Sequence, residues 1–338
     1  MRGRISDPVT GFIYPESWVE ACRDEADLRL VKEGLAILTS SGKVLHRGFT
    51  TGTTAAACCK AAIVSRLRDV DAVKVQIPSG LSVHVPVNGR EGSASCRKFG
   101  GDYPGDVTAN LLFTARCDEK GAGLELIAGE GIGRFMRKTA RHGEGEPAIS
   151  MPAWECIFRS MAEALQETGL RGASVVLAVP DGAAVAAQTL NPKMGIEGGI
   201  SILGTTGLVE PWDAHLAASV VERVKAAPRV VLTTGRTGLF FSRLLFPDFE
   251  VILAGARLRD ALGVAQGEVI LCGLPGLILK FIDPDILSGT GCATVEDLSG
   301  QPEFPERIQE AFRRGKRLYP RLRVVVIDRK GTVLGDSG

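Results

Sequence analysis

A chain of 338 residues is about twice the length of an average domain, which favours two domains with enough chain to bury cores without metal or disulfide staples. Forty Lys and Arg against thirty-nine Asp and Glu leave a formal charge of +1, which excludes a nucleic-acid binder working by bulk charge and leaves anion recognition to local features. At 45% hydrophobic and 23% charged, the composition excludes disorder over most of the length, and apolar runs such as Ala55–Cys59 fall far short of the roughly 20 residues of a membrane span.

Residues 1–45 are polar with helical stretches at 15–24 and 27–38, and are expected as an N-terminal helical extension packed on the first domain. The basic start has no apolar run behind it, so no secretory signal is expected and the cytoplasm is the expected compartment. From Thr51, TGTTAAACCKAAIVSRL places Thr N-caps before strong helix formers and predicts a helix over 53–67 whose small side chains admit a close neighbour. VKVQIP and LSVHVPV, separated by Ser79-Gly80, predict a β-hairpin with His84 facing away from the valines. Strands are expected near 93–98, 108–116 and 123–128, and the spacing of Ile157, Met161, Ala164 and Leu165 predicts a helix over 153–167. Grouped strands flanked by two helices predict an α+β domain with a mixed sheet over 46–171.

Beyond Gly172 the rhythm changes. The runs VVLAV, SILG, RVVLTT, VILAG and EVILCG alternate with helical stretches near 213–226, 237–245, 256–264, 274–282 and 303–314, and LRVVVID supplies a last strand. This predicts an α/β domain with a largely parallel sheet over 172–338, whose ligands would sit at the carboxyl ends of the strands. Eight scattered cysteines, without a C-x-x-C and away from the four histidines, read as reduced thiols, with no protein-bound metal expected.

The chemistry-bearing motifs are Thr/Gly-rich or basic. Thr50, Thr51, Gly52, Thr53 and Thr54 open the first predicted helix, where backbone amides and the dipole favour a carboxylate or phosphate, and Lys60 would lie about two turns inside. Gly204-Thr205-Thr206-Gly207 follows a predicted strand and leads through Glu210 into a helix; its glycines admit close backbone approach. Asn191 sits just upstream in a polar loop, and Gly235-Arg236 repeats the strand-end theme with a cation suited to a carboxylate. Gly131–His142 gathers Arg134, Arg137, Lys138 and Arg141, a basic loop in an otherwise balanced chain. Asp102 and Asp106, or Glu146, are the acids available as a base. Each motif also has a plain reading, as a capped helix, a tight turn or a solvated face. The glycine loops match neither a Walker loop nor G-x-G-x-x-G.

In combination and in order, GFTTGTTAAACCKAA, GEPAI, NPKMGIEGGISILGTTGLVEP and GLPGLILK resemble the CbiD family, over about residues 46–330. The resemblance implies a cobalt-precorrin-5B C-1-methyltransferase of anaerobic cobalamin synthesis, with S-adenosylmethionine as methyl donor and a polycarboxylated tetrapyrrole as substrate, the cobalt belonging to that substrate. Nucleic-acid and membrane partners are not expected, whereas a homo-oligomer and association with other enzymes of the pathway stay open. The chain departs from the family pattern at Phe99, Ser150 and 287–291. Two other classes are weighed: an ATP-dependent small-molecule kinase using the Gly/Thr loops, and a non-catalytic binding protein for corrinoid intermediates.

Overall fold

The computed structural model describes residues 4–103, 105–138, 142–211 and 220–338. They form two compact units, His46–Leu216 and a second composed of Met1–Leu45 with Ala217–Gly338. The division departs twice from the expected 1–45, 46–171 and 172–338. The N-terminal segment belongs with the C-terminal residues: Ser40 donates from its amide to Leu244 O at 2.8 Å and from its hydroxyl to Leu245 O at 2.9 Å, and the Phe12 and Phe241 rings meet at 5.4 Å. The second boundary moves from 171 to 216 because VVLAV joins the sheet of the 46–216 unit.

That unit is built on helix α1 (Thr51–Val64), whose fourteen residues are all buried. Alanines and cysteines around its whole circumference let a sheet and a second helix, α2 (Met151–Thr168), approach closely; a helix apolar on every side must be enclosed. The sheet uses β1 (Val70–Gln76), β2 (Ser82–Arg90), β3 (Ser93–Arg97), β4 (Leu112–Glu119), β5 (Gly123–Ala128) and β6 (Gly172–Ala178) in the order β1-β2-β3-β4-β6-β5. Val73 faces Val85 and Val75 faces Val83 across the hairpin, all four buried, while His84 is exposed. Strand β4 starts at 112 rather than 108, because Asp106 turns the chain there by accepting from the amide and hydroxyl of Thr108. Returning through α2, β6 inserts antiparallel to β4 and parallel to β5, so the sheet is mixed.

SILG does not form a sheet strand. Gly199–Ile200 makes a two-residue parallel ladder with Gly131–Ile132, Arg134–Phe135 pairs with Ile196–Glu197, and Leu208–Val209 pairs with Gly48–Phe49. Glycines decide this layer: a Cβ on Gly199 would stand 2.0 Å from Gly131 O, so the backbones meet where side chains cannot fit.

The other unit carries β7 (Arg229–Thr233), α3 (Arg236–Leu245), β8 (Glu250–Leu253), β9 (Glu268–Gly273), α4 (Pro275–Ile282), α5 (Phe304–Leu318), β10 (Leu322–Ile327) and β11 (Val333–Asp336). Sheet order is β8-β7-β9-β10-β11, parallel except for the last pair. The central strands β7, β9 and β10 are buried along nearly their whole length, as in a parallel sheet flanked by helices, whereas the antiparallel β11 is largely exposed. The helix expected over 213–226 is present at Val220–Ala226; 212–219 lie outside the described residues.

Candidate functional site

One edge of the 46–216 sheet collects most of the singled-out motifs. The strand registers place Gln76, Ser82, Arg97, Leu112, Ala128 and Ala178 along it. Both helices start there too, since a Cβ on Gly52 would stand 2.8 Å from Ala153 Cβ while Lys60 meets Glu163 further along. The loop at 203–207 closes over the start of α1. Gly52 N donates to Leu203 O at 2.7 Å, Thr50 N to Gly207 O at 3.1 Å, and Thr53 Oγ1 to Gly207 O at 2.7 Å. The Thr51 hydroxyl accepts from Leu203 N at 2.8 Å and donates to Ser201 O at 3.1 Å. Gly204 stacks on this turn, its missing Cβ 3.6 Å from Gly52 Cα and 3.3 Å from Thr50 Oγ1. Asn191 ties the neighbouring loop by donating to Gly199 O and accepting from Ser201 Oγ, each at 2.9 Å.

The hydroxyls expected to face a ligand therefore divide into two sets. Thr50 caps Thr53 N, and Thr51, Thr53 and Thr54 direct their hydroxyls to backbone partners within the protein. Thr205 and Thr206 are exposed and form a polar rim, although the Thr206 hydroxyl also donates to Leu208 O at 3.2 Å and accepts from Leu208 N at 3.3 Å. The amides of the first turn are equally engaged: Gly52 N, Thr53 N and Thr54 N all have protein acceptors, so the expected anion cradle at this helix start is filled by the protein's own loop.

Lys60 corrects the sequence expectation outright. It is buried between α1 and α2, donating to Glu163 Oε2 at 2.5 Å and Lys74 O at 2.8 Å, because position 60 falls more than two turns inside an enclosed helix. Glu210 is also taken, its carboxylate gripped at 2.9 and 3.1 Å by Nε of Arg47, a fully buried side chain. Gly235 and Arg236 lie in the other unit, at the start of α3, with Arg236 exposed.

The acids do not act as a pair. Asp102 Oδ2 accepts from the amide of His46 and meets its Nδ1, both at 2.8 Å, whereas Asp106 holds the buried ammonium of Lys98. Burial pulls the Lys98 pKa below its ordinary value and Asp106 opposes that shift. Glu146 stands 3.7 Å from His142 Nδ1, and the His142 ring stacks on Phe135 at 4.3 Å. Two of the three acids considered as a base, Asp102 and Glu146, thus sit beside a histidine. His46 was invisible in the sequence, 56 residues from Asp102; His142, four residues from Glu146, was legible.

Cations mark the same edge. Arg134 bridges Gly145 O and Ala128 O at 2.9 Å each, while Arg137 and Lys138 are exposed on the loop that follows; Arg141 lies outside the described residues. Exposed apolar side chains, unforeseen from spacing, stand around the start of α1: Phe99, Met151 and Leu203. The hydroxyls of Ser79 and Ser150 are buried here and have no partner among the described residues. No group of three or more His, Cys, Asp and Glu is gathered as for a metal ion among the described residues, and no described helix is long and apolar enough to cross a membrane. Exposed cations and exposed apolar side chains on one edge are chemically suited to a large, partly apolar organic anion.

The CbiD family model matches residues 38–211. A protein of Methanoregula boonei named cobalt-precorrin-5B C(1)-methyltransferase is 56% identical over 98% of this chain and 100% of its own length. A Methanoculleus marisnigri protein of the same name is 54% identical, over 98% and 99%. The crystal structure of the cobalamin biosynthesis protein cbiD from Archaeoglobus fulgidus is similar at a TM-score of 0.57 and 36% identity, covering 96% of this chain and 100% of that one. The chain belongs to the CbiD family.

Proposed function

We propose that this protein methylates C-1 of cobalt-precorrin-5B, with S-adenosylmethionine as donor and cobalt-precorrin-6A as product. The observation that carries the reading is the single sheet edge on which the Thr205-Thr206 rim, the α1 start and the Arg134–Lys138 cations stand together. A tetrapyrrole with several carboxylates calls for separate cations around its rim, which Arg134, Arg137 and Lys138 supply. When bound, S-adenosylmethionine supplies an electrophilic methyl whose bonding pair returns to sulfur, so alignment with the ring carbon supplies much of the rate.

Arg236, exposed at the first position of α3 in the other unit, carries a guanidinium suited to a carboxylate. Within the 46–216 unit, His46 held by Asp102 and His142 beside Glu146 are the groups able to take a proton if one leaves the ring. The cytoplasmic setting and assembly with copies of itself or with other enzymes of the pathway belong to the same reading.

The test is anaerobic incubation with S-adenosylmethionine and cobalt-precorrin-5B. Expected are S-adenosylhomocysteine and a product heavier by one methyl, with turnover lowered in Thr206→Val. Tight tetrapyrrole binding without affinity for S-adenosylhomocysteine identifies a carrier instead; magnesium-dependent ATP binding with silence towards S-adenosylhomocysteine identifies a kinase.

A further inference from the structure

A polycarboxylated macrocycle is charged at its periphery and apolar across its faces, so hydroxyls and cations alone leave its largest surface in water. Three of the exposed large apolar side chains flank the start of α1: Phe99 at 50% exposure, Leu203 at 55% and Met151 at 67%. Phe99 O accepts from Phe49 N, one residue before the cap of α1, and the two rings meet at 5.9 Å. Leu203 O accepts from Gly52 N, and Met151 opens α2 directly after Ser150, whose amide donates to Ile202 O. The three thus surround the first turn of α1 on backbone that is hydrogen-bonded to it or to its covering loop. One exposed apolar side chain is ordinary, whereas several grouped at one place mark a contact surface.

We propose that Phe99, Met151 and Leu203 form an apolar platform that takes the face of the tetrapyrrole, with its carboxylates reaching the cations of the same edge. The proposal rests on the methyltransferase reading for the identity of its ligand. Charge complementarity selects that occupant: Arg134 follows Gly133, whose carbonyl accepts from Ala148 N three residues before Met151, and the exposed Arg137 and Lys138 continue the same segment, cations that a neutral apolar partner would leave unused. Covering each side chain removes it from water, which makes each worth about tenfold in affinity.

The test uses the full-length protein, with cobalt uroporphyrin as a binding probe followed by its visible absorption band, and cobalt-precorrin-5B as substrate. Phe99→Ser, Met151→Ser and Leu203→Ser are each expected to weaken probe binding and raise KM by about tenfold, with kcat and S-adenosylhomocysteine affinity unchanged. Leu67→Ser, equally exposed at 63% but beyond the far end of α1, is the control and is expected to bind as the parent does. Circular dichroism verifies that each variant is folded. A parent that binds and methylates, with the three variants indistinguishable from it, overturns the platform while leaving the activity standing. Platform-dependent probe binding in a parent that never transfers a methyl upholds the platform and overturns the methyltransferase reading. A parent that does neither overturns both.

Discussion

Replacing Lys60 by Met separates a structural lysine from a ligand-binding one. The Lys60 side chain is 9% exposed and its ammonium holds Glu163 at 2.5 Å and Lys74 O at 2.8 Å; the Glu163 side chain is itself 38% exposed. Once Lys60 is gone, the carboxylate can turn to water, and what is lost is the donor to a carbonyl plus a part-screened attraction, about 1–3 kcal/mol. Glu163→Gln acts on the other partner and leaves a buried ammonium facing a carbonyl alone, a loss of about 3 kcal/mol or more. The double variant removes both charges and should fall short of the summed losses by about 1–2 kcal/mol. Urea titrations followed by circular dichroism measure the midpoints, and initial rates with cobalt-precorrin-5B measure kcat and KM at a temperature where all variants are folded. The expected result is lowered stability with unaltered kinetics. Parental stability in Lys60→Met combined with a KM raised at least about tenfold, the size of one lost charged contact, would refute the burial argument and return Lys60 to the ligand.

Gly52→Ala should destabilise by about 1–3 kcal/mol and lower methyl transfer, because its Cβ would stand 2.8 Å from both Ala153 Cβ and Leu203 O; melting temperature and initial rate check it. Asp106→Asn should lose about 3–5 kcal/mol, since it leaves the buried Lys98 ammonium without its counter-charge; a variant melting like the parent would contradict the buried pair. Seven of the eight thiols are buried, so a disulfide reagent should modify only Cys292 in the native protein and all eight after denaturation. Burial pushes the Cys156 and Cys272 thiols up to about 11 from the ordinary 9.0. Folded pKa values above unfolded ones mean that this stability is complete below pH 9 and is lost between pH 9 and 11. Each of the two thiols then contributes a decline of about 1.4 kcal/mol per pH unit. Melting temperatures that stay level from pH 8 to pH 10.5 would exclude it.

Several elements were legible because their signals are local. The all-small run from Thr51, the valine alternation around Ser79-Gly80 and the period of Ile157, Met161 and Ala164 each express burial within one element, and the helices and hairpin formed within two or three residues of the expected limits. Motif order alone sufficed for the family. Partnership across the chain was not legible, since no local pattern encodes it. Whether a lysine in a helix meets ligand or protein depends on which helix packs beside it, and α2 brings Glu163 to Lys60 across 103 residues. The Glu210 carboxylate meets Arg47 from 163 residues away, and VVLAV pairs with β4 and β5 rather than with the parallel strands after it. Periodicity determined what is buried; only tertiary packing decided what each buried charge and each exposed apolar side chain stands against, because electrostatic and hydrophobic partners are set by distance in space and not along the chain.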